Sequence, residues 1–380
     1  MTHPVMLSEL DTPCLLLERS KVKANAARLV TRVESLGSRL RLHVKTAKSL
    51  EVTRLVQGEA PGPITVSTLK EAEEFAQHGY RDILYGVAFA PSKLQRSLAL
   101  VDRGVKLMVV LDSVESAQAI ASVIGPGDRI LPVLVEIDCD GHRSGLKPGD
   151  PQIVDIARTL SSSRAGVAGV MTHAGDSYNC RSIDAIRAIA GKERDAVVTA
   201  ARQLREAGYD ASVVSVGSTP TATYVEDLTG VTEVRAGVFV FFDLVMAGID
   251  VCKVEDIALS VLGTVIGHQR EKGWTLTDAG WMAMSRDRGT ARQPVDQGYG
   301  IVCDASGRPI PGLIVSDASQ EHGIISHRSG DPAQMPDLPV GTLLRILPNH
   351  ACATAAQYDR YQVLDGAQKV EAAWPRFSGW

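Results

Sequence analysis

The chain has 380 residues, 44% hydrophobic and 22% charged, an ordinary globular composition with length enough for a sizeable core and two domains. Its formal net charge of −4, with no block of lysine and arginine, gives no electrostatic basis for binding nucleic acid or an anionic membrane surface. No apolar run approaches the roughly 18 residues of a bilayer span, and Met1-Thr2-His3-Pro4-Val5-Met6 lacks the basic-then-apolar pattern of a signal peptide.

Cys14-Leu15-Leu16-Leu17-Glu18 reads as a buried strand, and Ser20 is placed to cap a helix with Val22, Ala26, Leu29, Val30 and Val33 on one face. A second short apolar run ends in Arg41-Leu42-His43-Val44-Lys45-Thr46-Ala47-Lys48-Ser49. Further strands are expected at 64–66, 82–86, 106–111, 131–137, 166–171, 212–216 and 231–235. Helices are expected at 68–77, 91–101, 113–124, 152–160 and 183–207, several ended by glycine. Strand and helix therefore alternate, the signature of βαβ units and a parallel sheet. About eight strands over this length favour an α/β fold closed as a (β/α)8 barrel. An open doubly wound sheet is the competing architecture. It calls for a G-x-G-x-x-G turn after the first strand, where Glu18-Arg19-Ser20-Lys21 has no glycine. Past about residue 250 the pattern changes to short β-rich runs at 257–268, 274–278, 312–315 and 341–347. The expected division is a barrel over 11–249 and a mostly β domain over 250–380, which residues 1–10 can join.

The six cysteines, Cys14, Cys139, Cys180, Cys252, Cys303 and Cys352, are scattered without a CxxC pair. They read as free thiols in a reducing compartment, so a cytoplasmic protein is expected.

Chemistry is expected at the C-terminal ends of the barrel strands. Lys45 stands at such an end and can hold a cofactor aldehyde as a Schiff base when its amine loses a proton. The competing reading makes Lys45 and Lys48 solvated lysines at a helix start. Later strands end in Asp138-Cys139-Asp140-Gly141-His142-Arg143-Ser144-Gly145, in Met171-Thr172-His173-Ala174-Gly175-Asp176-Ser177-Tyr178 and in Val216-Gly217-Ser218-Thr219. A Gly-Ser-Thr turn opening a helix offers amides and hydroxyls to a phosphate, although such residues also simply punctuate chains. In Pro348-Asn349-His350-Ala351-Cys352, read as extended, His350 and Cys352 fall on one side. Imidazole and thiolate suit zinc or a related transition metal, and two protein ligands leave positions open for catalysis.

His43-Val44-Lys45-Thr46-Ala47-Lys48-Ser49, with Leu10-Asp11-Thr12-Pro13 before it, resembles the pyridoxal 5'-phosphate (PLP) segment of the D-serine dehydratase and D-threonine aldolase family. Val135-Glu136-Ile137-Asp138, His142-Arg143-Ser144-Gly145, Gly217-Ser218-Thr219, Val234-Arg235-Ala236-Gly237, Glu321-His322-Gly323 and Pro348-Asn349-His350-Ala351-Cys352 follow the family's order. The resemblance implies fold type III, an alanine racemase-like PLP-binding barrel with a C-terminal β domain. It implies that Lys45 is the catalytic lysine and carries PLP. Gly217, Ser218, Thr219 and Gly237 would bind phosphate, and His173 and Tyr178 would lie beside the cofactor. Arg143 would sit near the cofactor's phenolic oxygen and Arg235 would face the pyridine nitrogen, unless each is only a salt bridge within the barrel.

The resemblance also implies a metal on His350 and Cys352, zinc first, with manganese, cobalt, nickel or magnesium as alternatives. Cysteine at 352, where the aldolases carry aspartate, points to a dehydratase. Trp281-Met282-Ala283-Met284-Ser285-Arg286-Asp287-Arg288-Gly289 is similar to the D-threo-3-hydroxyaspartate branch, with D-serine as the other substrate. Lys45 would take the α-proton and the metal would assist departure of the β-hydroxyl. Retro-aldol cleavage and a non-catalytic PLP carrier are the other readings. Arg143, Arg286, Arg288 and Arg292 are candidates for a second substrate carboxylate. A homodimer is expected on analogy.

Overall fold

Eight parallel strands close on themselves in the computed structural model, which describes residues 5–128, 130–364 and 368–380. In barrel order they are Glu233–Ala236, Arg39–His43, Ile64–Val66, Asp82–Ala88, Lys106–Leu111, Leu131–Ile137, Ala165–Thr172 and Val213–Val216. Closure comes from the strand Glu233–Ala236, which pairs in parallel with Arg39–His43 on one side and Val213–Val216 on the other.

Helix ends follow the local sequence. Thr68 and Ser113 cap the helices Leu69–Gln77 and Val114–Ile124, accepting from the amides of Glu71 and Ser116. Gly125 ends the second of these at φ +66°, a conformation that favours glycine. Two expectations shift slightly. The helix Arg19–Ser35 starts at Arg19, so Ser20 lies inside it rather than capping it. The turn Pro91–Lys93 is 3-10, and the α-helix runs from Leu94 to Asp102.

Register assigns the inward face of the barrel. Arg41 is opposite Arg235, Ser215 opposite Glu233, Met171 opposite Ser215, and Leu84 opposite Met108. Partners in register share a face, so these residues all point one way. One side of the interior is apolar, a cluster of Leu84, Met108, Val110, Leu134 and Met171. The other side is charged. Fully buried Arg41 donates to Glu233 and to Asp82, each at 2.8 Å. Ser215 Oγ donates to Glu233 at 2.9 Å, and Arg235 donates to Ser215 Oγ at 2.7 Å and to the Thr172 carbonyl.

The second sheet has ten strands, ordered Val5–Met6, Lys369–Pro375, Arg360–Leu364, Cys14–Glu18, Leu259–Gln269, Trp274–Thr277, Gly323–His327, Pro309–Ala318, Gly300–Cys303 and Leu343–Pro348. An added pairing joins Leu259–Gln269 to Leu343–Pro348. This corrects one expectation. Cys14–Glu18, read as the first strand of the barrel, pairs with Leu259–Gln269 and Arg360–Leu364, and the barrel begins at Arg39. Leu16 packs there with Leu7, Leu262, Leu364 and Val370. Emptying such a position by Leu→Ala costs about 2–5 kcal/mol. The chain divides into two compact units, one of residues 1–26, 49–52 and 238–378, the other of 27–48, 53–237 and 379–380. Among the described residues no helix is long and apolar enough to cross a membrane.

Candidate active site

At the C-terminal end of the barrel, the strand Arg39–His43 gives way to a turn that carries Lys45. The two lysines of this stretch separate in role. Lys48, whose backbone is left-handed at φ 45°, places Nζ 3.0 Å from the buried carboxylate of Glu71. Lys45 is exposed and makes no hydrogen bond or ion pair among the described residues. Its charge nevertheless reaches two imidazoles. Burial, then the charges of Lys45, Arg235, His173 and Arg143, hold His43 well below the usual histidine range. Burial, then Arg143 with Lys45 and Arg235, brings His173 down to about 3 against the opposing bond to Gly217. Both rings are therefore neutral at physiological pH. His173 Nδ1 lies 2.6 Å from the Gly217 carbonyl, which accepts, so Nδ1 carries the hydrogen and Nε2 is bare.

The result is a barrel end where the charges of Lys45, Arg143 and Arg235 surround two neutral rings, with Glu136 and Glu193 acting on Arg235. Tyr178 joins it, its ring 6.2 Å from that of His173 and tilted by 40°. Arg235 is buried and held by Ser215 and the Thr172 carbonyl. Arg143 is half-exposed, 3.8 Å from Glu136.

The Gly-Ser-Thr turn opens the helix Thr219–Tyr224 as expected, with Ser218 as its cap. Gly217 and Gly237 are also demanded by backbone approach. A Cβ at 217 would stand 2.0 Å from the Arg235 carbonyl oxygen, and one at 237 would stand 2.8 Å from that of His43. The Ser218 hydroxyl pairs with Ser177 at 2.9 Å and with Thr221 at 2.8 Å. The seven barrel residues His173, Tyr178, Gly217, Ser218, Thr219, Arg235 and Gly237 thus come from adjoining strand ends, beside Lys45 and Arg143.

In the other unit, His350 and Cys352 are not on an extended segment. His350 stands at the N-cap position of the short helix Ala351–Ala355 without capping it through its side chain, and Cys352 lies in the first turn. The strand ends at Pro348 because Asn349, buried, is claimed by the loops around it. It accepts from the Thr290 amide at 2.8 Å and donates to the Gly298 carbonyl at 2.6 Å. The helix start is tied by buried Asp243, which accepts from the Ala351 amide at 2.9 Å. The imidazole and thiol still meet, through a side-chain hydrogen bond. Burial would lower His350, but hydrogen bonds to Asp287 and Cys352 and the charges of Cys352 and Asp243 push it up to about 11. Asp287 Oδ2 is 2.6 Å from His350 Nδ1. Among the described residues no group of three or more His, Cys, Asp or Glu side chains could hold a metal ion, so this corner offers two ligands and a carboxylate behind one of them. That donor set fits a metal site with open positions.

Of the arginine candidates, Arg288 pairs with Asp296 at 2.7 Å and lies over the Tyr299 ring, while Arg286 lies over the Trp281 ring. Arg292 contributes to holding Asp287 below the usual carboxylate range, a shift led by the His350 bond. Sequence reading missed Asp287, Asp243 and Glu193. Only Glu193 had a signal: it falls on the buried stripe Ile186, Ala190, Val197, Ala200, Leu204 of the helix Ile183–Glu206.

Comparison with known proteins defines the class. The alanine racemase N-terminal domain matches residues 17–245, and the serine dehydratase domain matches residues 258–364. The chain belongs to the family that joins these two domains, a family of PLP-dependent lyases. Within it, D-threo-3-hydroxyaspartate dehydratase of Delftia sp. (strain HT23) is 52% identical over 379 residues, covering 98% of this chain and 99% of that protein. D-serine dehydratase of Dictyostelium discoideum is 29% identical over 387 residues, covering 96% of each. The solved structure of the Delftia sp. HT23 dehydratase has a TM-score of 0.94 at 50% identity, covering 99% of this chain and 100% of that one. A mutant of D-threo-3-hydroxyaspartate dehydratase is described in a metal-free form.

Proposed function

We propose that this chain is a PLP- and metal-dependent dehydratase. It converts a D-3-hydroxy amino acid, D-threo-3-hydroxyaspartate or D-serine, to a 2-keto acid and ammonia. The observation that carries this reading is the 52% identity to the Delftia dehydratase across both chains. The three cations gathered at the barrel end, Lys45, Arg143 and Arg235, support it independently.

Bound PLP would supply an electron sink for the Cα carbanion, and the metal a Lewis acid for the departing hydroxyl. Lys45 is the residue for the cofactor aldehyde, and its Nζ takes the proton from the substrate Cα. The Ser218 and Thr219 hydroxyls, with backbone at Gly237, are the phosphate ligands, and Gly217, whose amide donates to Glu193, shapes the turn beside them. His173 and Tyr178 would flank the cofactor ring. Arg235, braced by Ser215, would be the cation for the pyridine nitrogen. Arg143 would contact the phenolic oxygen. His350 and Cys352 hold the divalent cation, and nitrogen with sulfur favours zinc over manganese, cobalt, nickel or magnesium.

The test is product analysis on both substrates, with and without EDTA. Ammonia with oxaloacetate or pyruvate, lost on chelation, is the expected result. Glycine with an aldehyde would establish the retro-aldol reading. The 28% identity to 3-hydroxy-D-aspartate aldolase of Paracoccus denitrificans keeps that reading in view, and Cys352 favours dehydration. Activity indifferent to EDTA would remove the metal. The homodimer rests on analogy and is checked by sedimentation equilibrium. The six free cysteines favour a cytoplasmic enzyme, checked by fractionation.

A further inference from the structure

Glu193 sits on the helix Ile183–Glu206 with 2% of its surface exposed, a carboxyl group that the reaction does not use. One oxygen, Oε1, accepts two backbone amides from different loops: Gly217 at 2.9 Å and Ala174 at 3.2 Å. The group also hydrogen-bonds the Thr221 side chain. Around it the same loops are joined twice more, by His173 Nδ1 to the Gly217 carbonyl at 2.6 Å and by Ser177 to Ser218 at 2.9 Å. These loops carry His173, Tyr178, Gly217, Ser218 and Thr219.

We propose that Glu193 is a positioning residue for the phosphate end of the cofactor, a buried carboxyl group that fixes the 173–178 and 217–219 loops to one another by accepting an amide from each. The inference rests on the PLP reading above.

The test is titration of PLP and of pyridoxal, which lacks the phosphate, into cofactor-stripped full-length protein, followed by cofactor absorbance. Glu193→Gln keeps an acceptor for both amides and binds PLP like the wild type. Glu193→Ala strands two buried amides and weakens PLP about 10-fold or more, with pyridoxal affinity unchanged. If the alanine variant does not fold, Glu193→Asp is the comparison, one methylene too short to reach both loops, and it weakens PLP while Gln does not. The proposal is overturned if Gln weakens PLP as much as Ala or Asp, if the shortened variants bind PLP normally, or if PLP and pyridoxal weaken together. A wild type that prefers PLP no more than pyridoxal would instead count against the PLP reading.

Discussion

His350 Nδ1 and Asp287 Oδ2 stand 2.6 Å apart, which fixes the orientation of the ring and the nitrogen it presents. A carboxylate behind a metal-binding histidine raises its basicity and locks its rotamer. Asp287→Ala is expected to weaken metal binding about 10- to 100-fold, with PLP absorbance unchanged, and Asp287→Asn to fall between. Metal titration followed by elemental analysis measures this. Wild-type metal content in Asp287→Ala would separate the carboxylate from the metal.

Lys45 and Lys48 are three residues apart in sequence and opposite in expectation. Lys45→Ala abolishes turnover and leaves no lysine at which borohydride can fix the cofactor. Lys48→Ala retains the fixed label at position 45 but loses the partner of buried Glu71, at about 1–3 kcal/mol. Peptide mass mapping and thermal melts read the two effects. A label on Lys48 would reverse the assignment.

Acid stability depends on His173. Its pKa is lowered to about 3 in the folded chain, so between about 3 and about 6.5 the unfolded chain holds more protons. Stability is therefore complete above that window and lost as pH falls through it, by up to about 1.4 kcal/mol per pH unit for one such group. His173→Gln, which can still donate to the Gly217 carbonyl, is expected to flatten part of the slope between pH 4 and 7. Identical melting curves against pH for the two proteins would remove His173 from the acid response.

Arg41 and Glu233 are both fully buried and joined at 2.8 Å. Removing Arg41 alone, as Arg41→Met, leaves the buried Glu233 carboxylate with Arg39, at 3.0 Å, as its one arginine partner among the described residues and costs up to about 3–5 kcal/mol. Arg41→Met with Glu233→Gln is expected to recover much of that loss. Urea melts of the single and double variants measure the coupling. Additive losses would show that the pair is not coupled.

The barrel was legible because strand and helix periods differ and because glycine and hydroxyl residues mark helix ends. Cys14–Glu18 was misplaced because an apolar run reads the same in a barrel strand and in a central strand of an antiparallel sheet. His350 and Cys352 meet for a reason other than strand alternation: the first precedes a short helix and the second lies in its first turn. Asp287 was invisible because loop aspartates are common and its partner is 63 positions away. Glu193 was legible in principle, as a carboxylate among apolar neighbours on one helix face.

The split interior of the barrel has a consequence for how this protein can change. Leu84, Met108, Val110, Leu134 and Met171 can be exchanged for one another's shapes with local effects, as oily cores allow. The opposite wall is a relay of shared protons and charges, in which Ser215 serves Glu233 and Arg235 at once. Mutations on that wall will show epistasis, and laboratory evolution of the pocket floor should advance there by compensated pairs.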